Sequence, residues 1–600
     1  MSISSQQPTA DGYEPLAARY RQRADEASAF LRRIQKEIYR TGTLRLLLFI
    51  AGVGGVIYLR TDGWVVIAGV IAVTLIPFLW LIKYHTRLFH RKEYLEQRIA
   101  VNEQELAALQ YDHSAFGEGA EFIDATHPYS FDLDLFGARS LFQSLNRTVT
   151  EPGKRRLAAW MNRHLTQKAE IIARQQAVQA LTDDMEFRQE FRIRGLLYKG
   201  EAADEAELTA WAESPVLFRK NRWLRILPLF VTSVNVLMLV SAAFGIGSFG
   251  VWGGVWTLFV LAGFGFTHTV SKMQQMYGKK LQILGTYAHL LRLMEEQGKS
   301  NLNASYPIAR LSRLMNALDQ RNNMFMYAIL NGLFFWEIRQ VMRIEKWKED
   351  YAAELPRWLE AIGNLDALCS LATFACNHPD YIYPTLTEQS FRLQAEALGH
   401  PLMNRDTCVR NDIDISRRPA FLIITGANMA GKSTYLRTVG VNYLLACMGA
   451  PVCARRMEIY PARLVTSLRT SDSLTDNESY FFAELKRLKM IIDKLQAGEE
   501  LFIILDEILK GTNSVDKQKG SLALVTQFMA LQADGIIATH DLMLGTLANT
   551  FPGEIRNYCF EADITNNELT FSYRLREGVA QNMNACFLMN KMGITNLPLT

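Results

Sequence analysis

The sequence predicts a multi-domain protein with a mostly α-helical core, two transmembrane helical hairpins and a C-terminal α/β domain. Three observations lead to this fold class. Paired charge-free apolar stretches occur twice in the first half of the chain, and regions rich in Leu, Ala, Glu, Gln, Lys and Arg surround them. Short β-rich apolar runs follow residue 400. At 600 residues the chain exceeds one hydrophobic core, because domains average roughly 150 residues.

The composition sets few limits on the partners of this chain. A net charge of +4 is small for this length, so it neither requires nor excludes a basic face for nucleic acid. The seven cysteines show no C-x-x-C spacing and no His/Cys cluster, so we expect free thiols and no zinc. Free thiols fit a reducing compartment. The first twenty residues contain no apolar stretch, so we expect no cleaved signal peptide.

The first predicted hairpin covers residues 46–82. Gly63–Ile82 is a stretch of twenty residues without a charge, long enough to cross a bilayer as a helix. The shorter, Gly-rich stretch Leu46–Leu59 precedes it across the tight link "RTDG". The two stretches together predict a pair of antiparallel helices.

The second predicted hairpin covers residues 226–266, with Ile226–Ile246 and Phe249–Phe266 joined by "GS". Basic residues flank both hairpins: Arg32, Arg33, Lys36, Arg40, Arg45, Lys83, Arg87, Arg91, Lys92, Arg219, Lys220, Arg222, Arg225, Lys272, Lys279 and Lys280. The positive-inside rule then places both termini and the C-terminal domain in the cytoplasm of a multi-pass protein in a bacterial-type inner (plasma) membrane. The alternative is two buried hairpins in a soluble core. The apolar segment Phe325–Trp336 is too short to span and contains Asn331, so we expect a buried helix there.

These features divide the chain into seven segments. They are an N-terminal helical segment (1–45), the first hairpin (46–82), a helical connector (83–126), a helical core (127–225), the second hairpin (226–266), lever helices (267–399) and the α/β domain (400–600). Within the lever helices we expect breaks near Pro307, Pro356 and Gly363, because proline and glycine interrupt helical patterns.

A glycine-rich loop is the first indication of a nucleotide-binding site in the α/β domain. "FLIIT" (421–425) reads as a buried strand, "GANMAGKS" (426–433) fits G-x-x-x-x-G-K-[ST], and a helix pattern follows. In this context backbone N–H groups and a helix N-terminus bind phosphates, Lys432 reaches the β- and γ-phosphates, and Ser433 binds Mg²⁺. The predicted ATP-binding residues are Gly426, Ala427, Asn428, Met429, Ala430, Gly431, Lys432, Ser433 and Thr434.

Two further strands supply the remaining catalytic candidates. "LFIILDEI" (501–508) ends in two acids: Asp506 is placed to hold Mg²⁺, and Glu507 to orient or deprotonate the attacking water. "GIIATHD" (535–541) ends in His540, a candidate sensor of the γ-phosphate. Lys432, Glu507 and His540 are therefore the predicted catalytic residues.

These motifs resemble the MutS family of DNA mismatch-repair ATPases. "TGANMAGKSTYLRTVG", "LDEILKGTNSVD" and "ATH" are similar to that family's ATP-site motifs, in the same order. The resemblance implies a P-loop domain of the ABC type and a homodimer with composite sites. Ser479, in "RTSDSLTDNESYFFAELKRL", would contact the partner's γ-phosphate, with Glu484 nearby in sequence. Asp516 would lie at the dimer interface.

The resemblance covers about 127–215 and 280–600, and it has gaps. No mismatch-reading domain fits before residue 127, so we expect no mismatch specificity, and "FGE" (116–118) reads as a chance match to the mismatch probe. Cys408 stands where an aromatic residue often stacks on adenine, so base selectivity stays open. Asn477 replaces a signature glycine and Ala427 a proline, which predicts slower hydrolysis.

Two functions follow from the sequence. The first is a membrane-anchored ATPase that engages DNA, whose binding is expected to depend steeply on salt. The second is an ATP-driven membrane switch that acts on protein or lipid partners. Solute pumping ranks low, because the four predicted spans contain no charged residue.

Overall fold

The computed structural model describes residues 13–197, 205–281, 283–319, 324–388, 391–416, 418–427, 429–469, 480–510, 512–565 and 568–581. The described chain begins with two long packed helices, α1 (Tyr13–Tyr58) and α2 (Trp64–Ala108), joined by a short turn. The first hairpin is therefore present as a hairpin of helices. Both helices run unbroken through the predicted segment boundaries at 45/46 and 82/83.

The part of this hairpin outside residues 46–82 packs as an antiparallel coiled coil. Its buried residues recur at intervals of seven: Tyr20, Ala27, Ile34 and Thr41 on α1, and Leu88, Leu95 and Asn102 on α2. A seven-residue repeat keeps one face of each helix turned towards its partner. We call residues 20–45 and 83–105 the stalk.

The helical core and the second hairpin follow. The core helices are α3 (Leu141–Leu145), α4 (Glu151–Asn162), α5 (Lys168–Thr182), α6 (Met185–Leu197) and α7 (Glu205–Glu213). The second hairpin is α8 (Arg222–Ala243) and α9 (Phe249–Leu281). The lever helices are α10 (Ile283–Glu296), α11 (Ser305–Asp319), α12 (Met324–Phe334), α13 (Trp336–Tyr351) and α14 (Leu355–Asn377).

The expected break at Gly363 is wrong, because α14 continues through it. A Cβ at Gly363 would lie 3.0 Å from backbone and side-chain atoms of Pro152 at the start of α4. Glycine therefore permits a close approach of two helices at this point and does not end one of them. Pro356 lies in the first turn of α14, where proline is compatible with a helix.

Among the described residues, five helices are long and apolar enough to cross a membrane: α1, α2, α8, the first part of α9, and α14. In α14, 72% of the apolar window is buried, so this helix belongs to the core. The windows of the two hairpins are only 6–22% buried. Length, composition and exposure thus separate the hairpins from the core helix.

Helix α12 differs from its prediction as a buried helix. It packs on α8 and α9, but Phe325 is 84% exposed and Ile329 is 47% exposed. Tyr327 and Asn331 on the opposite side are buried. One face of this short apolar helix therefore contacts the second hairpin, and the other face points away from the protein.

The C-terminal α/β domain contains a six-stranded sheet of order β12-β9-β4-β8-β7-β6. Its strands are β4 (Ala420–Gly426), β6 (Arg463–Ser467), β7 (Leu501–Asp506), β8 (Asp534–Thr539), β9 (Ile555–Phe560) and β12 (Arg576–Glu577). All pairs are parallel except β12 with β9. Every residue of β4, β7 and β8 is buried, as expected for a parallel sheet covered on both faces.

Smaller sheets and four α-helices complete the part of this domain that the structure describes. A four-stranded sheet has the order β1-β5-β2-β3, and β10 pairs with β11. The strands are β1 (Thr385–Leu386), β2 (Leu393–Leu398), β3 (Asn411–Ile415), β5 (Arg456–Ile459), β10 (Ala562–Thr565) and β11 (Glu568–Phe571). The helices are α15 (Lys432–Cys447), α16 (Tyr480–Gln496), α17 (Ser514–Ala530) and α18 (Leu547–Thr550). A multi-domain, mostly helical chain with a C-terminal α/β region is thus confirmed.

A buried carboxylate joins the stalk to the core. Glu105 on α2 is 2% exposed and accepts hydrogen bonds from Arg147 Nε at 2.7 Å, from Arg192, and from Asn377 Nδ2 at 2.7 Å. Burial by itself raises the pKa of Glu105, but the two arginines outweigh it and lower the pKa to about 2. The ionised carboxylate is therefore the counter-ion of two buried guanidinium groups.

We expect Glu105→Gln to lower the free energy of unfolding by about 3–5 kcal/mol, because it leaves buried arginines without a counter-ion. Thermal unfolding of the purified protein at neutral pH measures this loss, with Glu103→Gln, at an exposed position on the same helix, as control. The contribution of Glu105 is present above pH 4.5 and is lost as pH falls towards 2, so the two melting curves should converge in acid. Equal melting of wild type and Glu105→Gln at pH 7 would contradict this account.

Candidate functional site

Three parallel strands deliver the predicted catalytic residues to one edge of the sheet. Strands β4, β7 and β8 end at Gly426, Asp506 and Thr539, and their carboxyl ends lie side by side. Glu507 and His540 follow directly after β7 and β8. Strand ends at such an edge are the usual place for ligands in open α/β sheets.

The glycine-rich loop turns from β4 into α15 as the motif requires. Gly431 has a φ of 107° and precedes the first helical residue, Lys432. Met429 also has a positive φ, 67°, and its side chain is 79% exposed. The loop thus presents the N-terminus of α15, whose dipole favours an anion. Asn428 lies outside the described residues.

Lys432 is held at the base of this loop. Its Nζ donates to Gly426 O at 2.7 Å and to Ala427 O at 2.9 Å, and it lies 3.4 Å from Nε2 of His540. Burial lowers the pKa of Lys432 to about 8, against the opposing charges of Asp506 and Glu507. The ammonium group is therefore mostly protonated at neutral pH and is available to a phosphate.

The two acids after β7 have different partners. Asp506 is 9% exposed and accepts a hydrogen bond from the hydroxyl of Ser433. Oε1 of Glu507 lies 2.6 Å from Nε2 of His540. This hydrogen bond, opposed by burial, lowers the pKa of Glu507 to about 2. Ser433 and Asp506 supply adjacent oxygen ligands of the type that Mg²⁺ prefers, and Glu507 is an ionised carboxylate at neutral pH.

A cleft of 670 Å³ collects most of the predicted residues. Its lining includes Ala427, Met429, Gly431, Lys432, Ser433, Thr434, Asp506, Glu507 and His540. Gly426 and Ala430 lie behind this lining: Gly426 bonds Lys432 through its carbonyl oxygen, and Ala430 is buried. Cys408 also borders the cleft. Its contact with the nucleotide base stays a prediction.

Several residues that line the cleft were not predicted from the sequence, and Tyr573 and Asn411 are two of them. Tyr573 borders the cleft, and its ring lies 3.1 Å from where a Cβ on Gly431 would be. Asn411 holds this segment by donating to Tyr573 O at 3.0 Å and accepting from Leu575 N at 2.8 Å. Asn411 is the first residue of β3, and neither it nor Tyr573 belongs to one of the predicted ATP-site motifs. Tyr573 lies about 140 residues after the glycine-rich loop, so no local sequence pattern links it to the site.

Glu484, selected by family resemblance, positions the segment after the two acids. Its buried carboxylate accepts hydrogen bonds from the backbone N–H groups of Leu509 at 2.5 Å and Lys510 at 3.2 Å. Burial raises the pKa of Glu484. Helix α16 is therefore tied to the loop that carries Glu507. Ser479 and Asn477, just before this helix, lie outside the described residues.

Asp516 is exposed in the first turn of α17. Its backbone N–H donates to Asn513 Oδ1 at 2.9 Å, and Asn513 Nδ2 donates back to its carboxylate at 2.6 Å. Gln518 on the same helix lies 3.3 Å from Asp541, directly after His540. This places Asp516 on a helix that adjoins the cleft, at a surface open to a partner. Its role at a dimer interface stays a prediction.

The helical core contacts the α/β domain through Asp132. This residue is 1% exposed, accepts from the Thr466 hydroxyl at 2.6 Å and from Arg469 N at 3.1 Å, and pairs with Arg487 on α16 at 3.2 Å. Phe116, in the apparent mismatch motif, is buried beneath the guanidinium of Arg147. Its role in the described structure is therefore packing.

Two family models match this chain. The model of MutS domain III matches residues 129–203, and the model of MutS domain V matches residues 422–596, which include the cleft residues from Ala427 to Tyr573. The expected family resemblance is confirmed in both regions. In the described chain before residue 109, the two helices of the first hairpin occupy the sequence, so no α/β domain lies there.

Individual relatives match about two fifths of this chain. DNA mismatch repair protein msh3 of Aspergillus oryzae is 32% identical over 250 residues, which is 40% of this chain and 22% of that protein. DNA mismatch repair protein MutS of Natronomonas pharaonis is 33% identical over 248 residues, or 40% and 28%. MutS of Thermotoga neapolitana is 30% identical over 225 residues, or 37% and 27%. The match thus spans about a quarter of each relative's length.

We expect Gly426→Ala to weaken binding of a fluorescent ATP analogue by about tenfold or more, because left-handed backbone strain costs of order 1–3 kcal/mol. Gly426 has a φ of 149°, and an added Cβ would lie 2.4 Å from Phe560 O. The control is Gly498→Ala, which also has a positive φ but no atom within 4 Å of the added Cβ. Equal analogue affinity of the two variants would show that the contact with β9 does not set the shape of the loop.

Proposed function

We propose that this chain, which matches the family models of MutS domains III and V, is a membrane-anchored ATPase that binds and hydrolyses ATP with Mg²⁺ as a homodimer. The observation that carries the proposal is the convergence of Lys432, Ser433, Asp506, Glu507 and His540 on one cleft. These residues come from three separate strand ends, and each has the chemistry that phosphoryl transfer needs.

Each residue has a distinct task in this proposal. Lys432 exchanges its contacts with the Gly426 and Ala427 carbonyls for phosphate oxygens. Ser433 and Asp506 hold Mg²⁺, which when bound neutralises phosphate charge. Glu507, ionised at neutral pH, orients the attacking water and accepts its proton. His540 fixes the Glu507 carboxylate and lies near Lys432, where it can respond to the γ-phosphate.

The dimer completes the site in this proposal. Ser479 of one chain would contact the γ-phosphate bound by the other, and Asp516 would lie at the interface. Exposed apolar side chains on the neighbouring elements support a covered surface: Phe482 is 51% exposed on α16, and Val515 is 59% exposed on α17. ATP would close the dimer only to the extent that it binds the closed form more tightly.

The membrane anchor is the second part of the proposal. Exposed apolar side chains cover both hairpins, and basic residues flank them on the sides where the rest of the chain lies. Four spans would place both termini and the ATPase domain in the cytoplasm, at a bacterial-type inner (plasma) membrane. In water the same apolar surface would be costly, since large exposed patches mark membrane or protein contacts.

DNA is the first candidate for what the ATPase acts on. The relatives that match are DNA mismatch repair proteins, and this motivates DNA engagement without mismatch specificity. The alternative is an ATP-driven switch that acts on protein or lipid partners. Two membrane hairpins, with a helical hairpin where a mismatch reader would be expected, favour that alternative.

Turnover tests the ATPase itself. We expect Glu507→Gln to reduce ATP hydrolysis by about 100-fold or more, because a positioned general base contributes at least this factor. Phosphate release by the full-length protein in nanodiscs measures the rate, and binding of an ATP analogue should persist. Glu360→Gln, an exposed glutamate paired with Arg156 on the surface, serves as the matched control. Undiminished hydrolysis by Glu507→Gln would refute the proposed role.

DNA dependence distinguishes the two candidate roles. We expect duplex or branched DNA to change the rate of hydrolysis at low salt, and this effect to fall steeply as salt rises, because phosphate contacts release counterions. Glu507→Gln provides the blank for both substrates. If the rate ignores DNA at low salt, and the trapped variant recovers a protein partner without nucleic acid, the switch replaces the DNA-engaging ATPase.

A further inference from the structure

The junction between α12 and α13 is a sharp break against the second hairpin. Phe335, between the two helices, adopts a left-handed conformation with a φ of 46°. It is 2% exposed, and its ring centroid lies 6.4 Å from that of Phe259 and 6.3 Å from that of Phe266, both on α9. A bulky residue holds such a conformation only where its surroundings enforce it. The break is therefore built into the packing on α9.

Helix α12 enters along α9. Near its beginning, the ring of Tyr327 lies 4.9 Å from that of Phe264. Near its end, a Cβ on Gly332 would lie 2.3 Å from Nε1 of Trp256. The helix thus runs antiparallel to α9, from the end of its apolar stretch towards the middle of that stretch.

Helix α13 leaves along α8. Nη2 of Arg339 lies 3.3 Å from the Thr232 hydroxyl, one turn after Pro228. Six residues later, Glu345 accepts hydrogen bonds from Leu217 N at 2.7 Å and Arg219 N at 2.7 Å, just before α8 begins. The chain therefore goes in beside α9, breaks at Phe335, and comes out beside α8 on the side where it entered.

Side chains satisfy the backbone at the deep end of this loop. Asn235, in the middle of α8 and 2% exposed, donates to Gly332 O at 3.0 Å and accepts from Trp252 Nε1 at 3.1 Å. Asn331 Oδ1 accepts from Glu337 N, at the start of α13, at 2.9 Å. Hydrocarbon tolerates a broken helix only where protein groups supply such hydrogen bonds. Asn235 therefore supplies a hydrogen bond to the backbone of α12 that lipid acyl chains could not supply.

The outer face of the loop continues the apolar surface of the second hairpin. Phe325 and Ile329 are 84% and 47% exposed, and on α8 Leu229 and Leu237 are 64% and 71% exposed. Residues 324–336 contain no charged side chain. An aqueous partner surface would need polar groups at its rim, whereas lipid acyl chains would cover a surface of this composition.

We propose that α12 and Phe335 form a re-entrant loop inside the bilayer beside the second hairpin, covered on its outer face by lipid acyl chains. The loop deepens the proposed function, because it rests on the second hairpin spanning the membrane. It also places part of the lever itself in the bilayer, since α13 leads directly into α14 and the core.

Site-specific photo-crosslinking in vesicles of phosphatidylethanolamine and phosphatidylglycerol tests the loop. The full-length protein carries p-benzoylphenylalanine in place of Ile329, in place of Leu237 as membrane reference, or in place of Tyr306, which is 65% exposed on α11, as aqueous reference. Peptide mass spectrometry quantifies phospholipid adducts. We expect yields at Ile329 and Leu237 about tenfold above the yield at Tyr306, since only acyl chains surround a side chain at membrane depth.

The outcomes separate the loop from the anchor. Lipid adducts at Leu237 without adducts at Ile329, or protein adducts at Ile329, overturn the re-entrant loop and leave the membrane anchor intact. Absence of lipid adducts at both positions overturns the anchor, and the loop with it.

A second variant tests the polar cap. Asn235→Leu should reduce the lipid-adduct yield at Ile329 by severalfold and leave that at Leu237 unchanged, because α12 loses the group that satisfies its last turn. The matched control is Thr257→Val, whose hydroxyl bonds Gly253 O within its own helix. Equal yields at Ile329 in Asn235→Leu and Thr257→Val would rule out the cap.

Discussion

The arrangement of the helical regions depends on one buried carboxylate. Glu105 receives hydrogen bonds from Arg147, which follows α3, from Arg192 on α6, and from Asn377 at the end of α14. The stalk, the core and the lever thus meet at a single group. Burying a charge costs free energy, and here the two arginines and Asn377 offset that cost. The three elements can therefore pack in few other ways. The carboxylate makes the contact specific as much as stable.

Local patterns explain what the sequence could predict. The loop from Gly426 to Ser433 is contiguous, and strands of consecutive apolar residues carry Glu507 and His540 to its side, so motif spacing sufficed to predict that these residues lie together. Apolar length likewise sufficed for the two hairpins. The stalk is a harder case, because its heptad positions hold Tyr20, Ala27 and Thr41 as well as leucines, and such a mixed seam does not stand out as a coiled coil.

Long-range contacts explain what the sequence could not predict. Tyr573 borders the cleft through a segment held by Asn411, far away in the chain, and no spacing rule links the two. Gly363 was predicted to break the helix because the residue that requires a glycine there, Pro152, lies 211 positions earlier in the chain. Helix α12 was expected to be buried because it is short and contains Asn331, but apolar composition and length alone do not tell a protein interior from an exposed apolar face. Each of these assignments required knowledge of a residue that is distant in sequence but adjacent in the structure.

The stalk and the second hairpin also differ in reach. About 26 residues of α1 separate Tyr20 from the apolar tip, a rod of roughly 40 Å at 1.5 Å per residue, whereas α8 begins directly beside the core. If both hairpins span one bilayer, as proposed, the long stalk and the short second hairpin together would remove most of the rotational freedom of the protein. Two such proteins would meet by sliding within a plane, already upright and facing sideways. Part of the entropic cost of pairing would then be met before the partners touch.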